Sequence, residues 1–234
     1  MHDVYFGNKM LSEFKTFITN AGVYSTPARG YESVAIDGRN GNLIFEKDKF
    51  DNVEHKYPLV IYENFDRNFI ALKSFLLSRK GYERLTDTFY PDEYYLATFK
   101  QFEDIRQPYL NGDKGSCTLV FERKPQRFLK NGDNVITFTT SRGQILNPTS
   151  FKALPMIRVY GSGVLSINEV SIEIDTEEEY LDIDCDLQEV LQSGGNLDVT
   201  LINGKFPYLK SGTNSIMAIG SITEVDITPR WWRL

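Results

Sequence analysis

Histidine, cysteine and tryptophan each occur only twice in the 234 residues, and these scarcities remove most of the usual catalytic and metal-binding arrangements. Cys117 and Cys185 lie far apart with no CxxC partner, which fits neither a disulfide framework nor a zinc site; both thiols are expected to be reduced and packed. A nucleophile needs a base beside it, and the only histidines are His2, next to the start, and His55, in a polar stretch read as a loop. GxSxG is missing, and Gly161-Ser162-Gly163 lacks the strand, elbow and helix that would expose a serine, so it reads as a hairpin turn. Gly38-Arg39-Asn40-Gly41 has no following helix and no GK[ST] to hold a phosphate. Carboxylates are plentiful, but nothing singles out one acid and one base of a glycosidase pair. Neither catalytic residues nor a cofactor are expected, and the chain reads as a non-enzyme.

Long apolar runs are missing too. No stretch approaches the ~18 residues of a membrane span, and the opening MHDVYFGNKM has no basic region followed by an apolar one. The expectation is a chain made in a cytoplasm, with no membrane insertion. Basic charge is scarce where it would matter for nucleic acid. Residues 151–234 carry 6 Lys/Arg against 13 Asp/Glu, a net −7, while residues 1–150 carry 20 against 19. That distribution argues against sequence-independent binding to phosphates and is most simply a solubilising surface.

What the sequence has in excess is aromatic side chains, 13% of residues with 16 Phe and 13 Tyr, against ordinary hydrophobic (41%) and charged (25%) fractions. This favours strands and interfaces. Val4–Phe6, Tyr57–Tyr62 and Ser116–Phe121 read as strands. Asn40-Gly41, inside IDGRNGNLIF, predicts a hairpin between Ile36 and Phe45. One segment is helical, from about Asp66 to Lys80: Phe69, Leu72 and Leu76 recur at helical spacing, Ile70 widens the stripe, Asn64 or Asp66 can cap, and Gly81 follows Arg79 and Lys80. That helix is expected to pack on a sheet.

Residues 92–105 (DEYYLATFKQFEDI) are aromatic and only loosely alternating. They read either as an exposed edge that pairs with a neighbouring subunit, with Tyr94, Tyr95, Leu96, Phe99 and Phe102 as the candidate interface, or as a partly buried strand of one domain. Two prolines and several turn-formers within SRGQILNPTSFKALP (141–155) place a domain boundary there, dividing the chain into 1–145 and 146–234. Beyond it, Ile157–Tyr160 and Val164–Ile174, then short runs at 179–184, 197–202 and 215–227, have the spacing of a β-sandwich. The fold class is therefore mainly β with one helix.

Two features of the second half invite a site. Asp182, Asp184 and Asp186 alternate and could gather a cation, but Leu187 stands where an EF-hand loop needs glycine and Ser193 where it needs glutamate. They read instead as a solvated strand face opposite buried Ile183, Cys185 and Leu187, with no metal. Trp231 and Trp232, flanked by Arg230 and Arg233, could form a sugar platform of a lectin; against that, adjacent strand residues face opposite ways, and closure of the core is the competing reading.

In order along the chain stand Phe6-Gly7, Leu11-Ser12-Glu13-Phe14, Ile36-Asp37-Gly38-Arg39-Asn40-Gly41-Asn42-Leu43 and Asp51-Asn52-Val53. They are followed by Asn147-Pro148-Thr149, Pro155-Met156-Ile157-Arg158-Val159-Tyr160-Gly161-Ser162-Gly163 and Tyr180-Leu181-Asp182-Ile183-Asp184, and then by Phe206-Pro207-Tyr208-Leu209, Gly212-Thr213-Asn214 and Pro229-Arg230-Trp231-Trp232. In that order the chain resembles the distal tail proteins (Dit) of long-tailed siphoviruses, mainly those infecting Gram-positive bacteria. The resemblance implies an N-terminal belt domain of sheet and helix that forms a hexameric ring, and a C-terminal galectin-like β-sandwich. It also implies a hub at the distal tip of the virion tail. The ring would join the tail tube protein, and possibly the tape measure protein, to a tail-tip fibre or tail-associated lysin, with DNA passing through unread. The chain is compact and shows no long insertion carrying a sugar-binding module, so the resemblance does not extend to direct host recognition.

Overall fold

The computed structural model of the chain describes residues 2–24, 26–106, 113–197 and 202–234. It divides into two compact units, Met1–Arg127 with Leu234, and Phe128–Arg233. The division precedes the expected 145/146 boundary because the strands at Ile136–Phe138 and Arg142–Asn147 ladder onto strands of the second unit.

In the first unit the strands are β1 (Val4–Phe6), β2 (Lys9–Met10), β3 (Thr16–Ile18), β4 (Val23–Tyr24), β5 (Arg29–Val34), β6 (Leu43–Phe50) and β7 (Val53–Ile61). They are followed by helix α1 (Phe65–Ser78), β8 (Glu83–Asp87), β9 (Glu93–Arg106) and β10 (Gly115–Arg123). The main sheet runs β2-β1-β8-β9-β10-β7-β3, with β4 also on β7. Strict alternation along β7 buries Val53, His55, Tyr57, Leu59 and Ile61, and β10 adds Cys117, Leu119 and Phe121 to the same core. Helix α1 covers that face with Leu72 and Leu76, as its periodicity predicts, and with Phe65 at its first position. Ile70, expected to widen the buried stripe, is 64% exposed: it falls on the solvent side of a stripe that Phe65, Phe69 and Phe75 complete instead.

Aromatic rings link helix to sheet in a continuous series, Phe65–Phe69 (5.3 Å), Phe69–Phe102 (5.0 Å), Phe102–Phe99 (4.8 Å), Phe99–Phe121 (5.5 Å) and Phe121–Phe6 (5.0 Å). Pairs of this kind contribute about 0.5–1.5 kcal/mol each beyond burial, and the series absorbs much of the phenylalanine excess. At the helix start, Asn64 takes the N-cap position but its side chain makes no cap bond. Asp113 serves instead, its Oδ1 accepting from the Asn64 amide (2.9 Å) and its backbone carbonyl from the Phe65 amide (3.3 Å).

The second unit is a sandwich. Its strands are β11 (Arg127–Leu129), β12 (Ile136–Phe138), β13 (Arg142–Asn147), β14 (Met156–Tyr160), β15 (Gly163–Ile167), β16 (Val170–Ile174), β17 (Leu181–Asp184), β18 (Glu189–Gln192), β19 (Ile202–Gly204), β20 (Gly212–Gly220), β21 (Glu224–Thr228) and β22 (Trp232–Arg233). One five-stranded sheet is ordered β12-β21-β14-β17-β18 and the other β13-β20-β15-β16-β19; β22 pairs with β11. Ile157, Val159, Leu181, Ile183, Val225 and Ile227 from the first sheet meet Leu165, Ile167, Ile172, Ile174 and Ile216 from the second in one core. Residues 198–201 of the run expected at 197–202 lie outside the described residues.

Gly161-Ser162-Gly163 is not a hairpin turn. It carries the chain from β14 in one sheet to β15 in the other, and Gly161 (φ 95°) packs so closely that a Cβ there would lie 2.4 Å from the Ser221 carbonyl oxygen. The hairpin lies further on, inside the stretch read as one strand: Ile167 pairs with Val170 across Asn168-Glu169, with Asn168 left-handed (φ 56°) and its side chain anchored to Asn214 and the Ser215 amide.

Candidate functional site

Two surfaces of the first unit have the character of contact surfaces. The first is the hairpin β5–β6, a two-stranded sheet of its own. Val34 pairs with Leu43 and Ser33 with Ile44, so the strands separate into the loop 35–42 instead of closing tightly at Asn40-Gly41. Tyr31 and Ile44 lie on one face, Val34, Leu43 and Phe45 on the other. Tyr31, Val34, Ile44 and Phe45 are all exposed, Ile44 and Phe45 by 50% and 53%, and among the described residues none of the hairpin joins either hydrophobic core. The ion pairs Arg29–Glu46 (3.0 Å) and Glu32–Lys47 (3.7 Å) are exposed and contribute little. A two-stranded ribbon is marginal in water, and this one leaves apolar groups exposed on both faces. Its Asn-Gly dipeptide was legible in sequence; its lack of a core partner was not, because burial on neither face has no periodic signature.

The second surface is β9. The five aromatic and aliphatic residues expected as a subunit interface divide between two environments. Tyr94 and Tyr95 are buried, and with Leu96 they lie in an interior stretch where Leu85 pairs with Tyr95, Arg84 with Leu96 and Glu83 with Ala97. In that half the edge of β9 is taken by β8, as in the reading of a partly buried strand of one domain. Phe99 and Phe102 pack against the core as links of the aromatic series. Beyond Ala97 the β8 ladder stops while the β10 ladder runs on to Arg106, so only residues 98–106 keep an edge character, with Ile105 exposed.

In the second unit, the acidic strand is not a solvated face. Arg158 makes a bidentate pair with Asp182 (2.7 and 2.8 Å) and Arg230 with Asp184 (2.8 and 2.8 Å); Asp184 is buried and also accepts from the Asp186 and Leu187 amides. Burial alone would raise the Asp184 pKa, but the Arg230 guanidinium and those amides together hold it below the usual carboxylate range. β17 ends at Asp184, so the alternation breaks and Leu187, expected inside, is 64% exposed. Both thiols are free and buried, and burial pushes each up to about 12, which leaves them unreactive.

The tryptophan platform does not form. Trp231 lies in the sandwich core, and Trp232 stacks on Phe151 (4.4 Å) while its indole N–H donates to the Lys152 carbonyl (2.9 Å). A groove of about 450 Å³ on the outward side of the β13–β20–β15 ladder is lined by Arg142, Gln144, Ser166, Asn168, Ser215 and Met217 among others, with no aromatic ring to stack on a sugar.

No family model and no curated protein matches the sequence. Solved structures do. The Dit protein of phage SPP1, described as a paradigm of the hub adsorption apparatus in phages infecting Gram-positive bacteria, superimposes with a TM-score of 0.75 over 100% of both chains at 15% identity. The chain has the Dit fold. A chain of the phage p2 baseplate, in its activated conformation with strontium, matches with a TM-score of 0.53 over 100% of this chain and 98% of its own, at 11% identity. Two residues of the motifs that carry the sequence resemblance tie backbone together in the second unit: Asn147 bonds the Phe151 and Leu209 carbonyls, and fully buried Asn214 bonds the backbone at Lys210 and Gly212.

Proposed function

We propose that this chain is a distal tail hub protein: a structural, non-enzymatic subunit that closes into a six-membered ring at the tip of a long non-contractile phage tail. The observation that carries the reading is the Dit fold extending over the whole length of the chain and of the SPP1 protein, both units included. In this reading the first unit is the belt and the second a galectin-like sandwich. The ring joins the tube protein above to a tip fibre or tail-associated lysin below, and DNA passes through it unread. A cyclic ring uses two different surfaces of each subunit. The hairpin, with apolar side chains on both faces, and the 98–106 edge supply candidates for them.

Light scattering and negative-stain images of the purified protein are expected to show six-fold rings, either alone or with tube or tip protein added. Replacing Ile44 and Phe45 together by Ser is expected to leave folding within about 0.5 kcal/mol of wild type, since both are exposed, while shifting the ring to monomer. A wild-type protein that stays monomeric and binds neither tube nor tip protein would refute the hub.

A further inference from the structure

Two legs join the hairpin to the sheet: on the first, β4, the last ladder rung is Tyr24 opposite His55, next to Val23 opposite Lys56, while the second stays laddered to β10 as far as Val53 opposite Arg123. Further out, the Asp51 amide bonds the Ala28 carbonyl (3.0 Å) and closes the hairpin base. His55 was read as a loop residue; it is fully buried in β7 instead. Its ring stacks on Tyr57 (4.2 Å), lies against Tyr24 (5.0 Å) and meets Tyr95 edge-on (5.7 Å). The Gly22 backbone approaches so closely that a Cβ would stand 2.7 Å from His55 Nε2. Neither ring nitrogen makes a well-formed hydrogen bond among the described residues, the pull of the Ala21 carbonyl falling short of one.

The charges around this ring oppose a second cation. Arg123, at the end of β10, is itself buried over Tyr95 (4.3 Å) and Tyr24 (5.3 Å), with Nε and Nη1 unbonded among the described residues. Arg127 follows it, paired with Glu93 (2.9 Å). Asp87 of β8 favours a charged imidazole, but it already accepts from the Tyr57 hydroxyl (2.7 Å) and the Phe89 and Tyr90 amides. The strand neighbours Glu54 and Lys56 point to the other face of β7.

We propose that the Tyr24–His55 rung is a proton-operated latch, which holds the first hairpin leg, β4, to the sheet near neutral pH and releases it on mild acidification. Burial first, and Arg123 second, push His55 down to about 4 while the latch is shut. Once released into water the ring returns to an ordinary 6.5. The open form therefore binds the proton more readily between those values, so opening grows as pH falls through that window, by roughly thirtyfold at pH 5 relative to pH 8. The consequence for assembly rests on the hairpin being a contact arm, as proposed above. The latch does not, because the measurement below reads it whether or not rings form.

The test is amide hydrogen exchange of the full chain at pH 8 and pH 5, corrected for intrinsic exchange rates, in wild type and in His55→Phe and His55→Gln, which remove the titration. Protection at Gly22–Tyr24 is expected to fall at least tenfold at pH 5 in wild type, to stay unchanged in the variants, and to persist in β10 throughout. Unchanged protection at Gly22–Tyr24 in wild type overturns the latch, as does an equal loss in the variants. If neither variant folds, the wild-type pattern decides: loss confined to β4 supports the latch, and equal loss in β10 is general acid unfolding and overturns it.

Discussion

Arg230→Ala is expected to destabilise the sandwich unit by about 3 kcal/mol, on the order of 10 °C in its Tm, a large effect for one partly exposed side chain. The reason is what remains behind. Asp184 is buried, and without the bidentate guanidinium its carboxylate keeps only two backbone amides as partners. A buried ion left alone costs more than the intact pair contributes. The sign with pH follows from the depressed pKa of Asp184: its stabilisation is complete above the unfolded value of about 3.9 and is lost as pH falls through the folded one. The gap between wild type and Arg230→Ala should therefore be widest near neutral pH and close below about pH 4. Thermal melts across that range, with Asp184→Leu/Arg230→Met as the control that removes both charges, check it. If the double variant is as damaged as the single one, the cost is lost packing and not an orphaned charge.

Trp231→Ala is expected to cost about 3–5 kcal/mol, because it empties a large site in a close-packed core. Trp232→Ala should cost much less, since that ring is only half-buried against Phe151. Denaturant titration separates the two. The asymmetry also bears on sugar binding: a lectin built on these tryptophans would lose affinity in a still-folded Trp231 variant, whereas a core residue takes the fold with it.

The elements that sequence reading located best are those whose burial is periodic. Val4–Phe6 is reproduced to the residue, helix α1 to within its ends, and the runs Tyr57–Tyr62 and Ser116–Phe121 fall within β7 and β10 but for Tyr62. Reading failed where a long-range partner decides. Gly161-Ser162-Gly163 has the composition of a hairpin turn, yet nothing local says that β14 and β15 belong to different sheets. His55 reads as a loop residue because its neighbours Glu54 and Lys56 are polar; only the ladder of β7 with β4 and β10 shows that those two face outward and the imidazole inward. Tyr94 and Tyr95 have the look of an interface until β8 is laid beside them.

The sequence by itself determined that this chain is β-rich with one helix, and which family it resembles. Those properties follow from composition, periodicity and the order of short motifs, all of which are local. What only the tertiary structure decided is which residues of those motifs meet. Arg158 with Asp182, and Arg230 with Asp184, stand in three separate motifs and meet as two bidentate pairs. The same structure left the Asn40-Gly41 hairpin without a core to cover it. Charge pairing and the absence of burial depend on distances between residues remote in sequence, and a linear pattern carries no record of them.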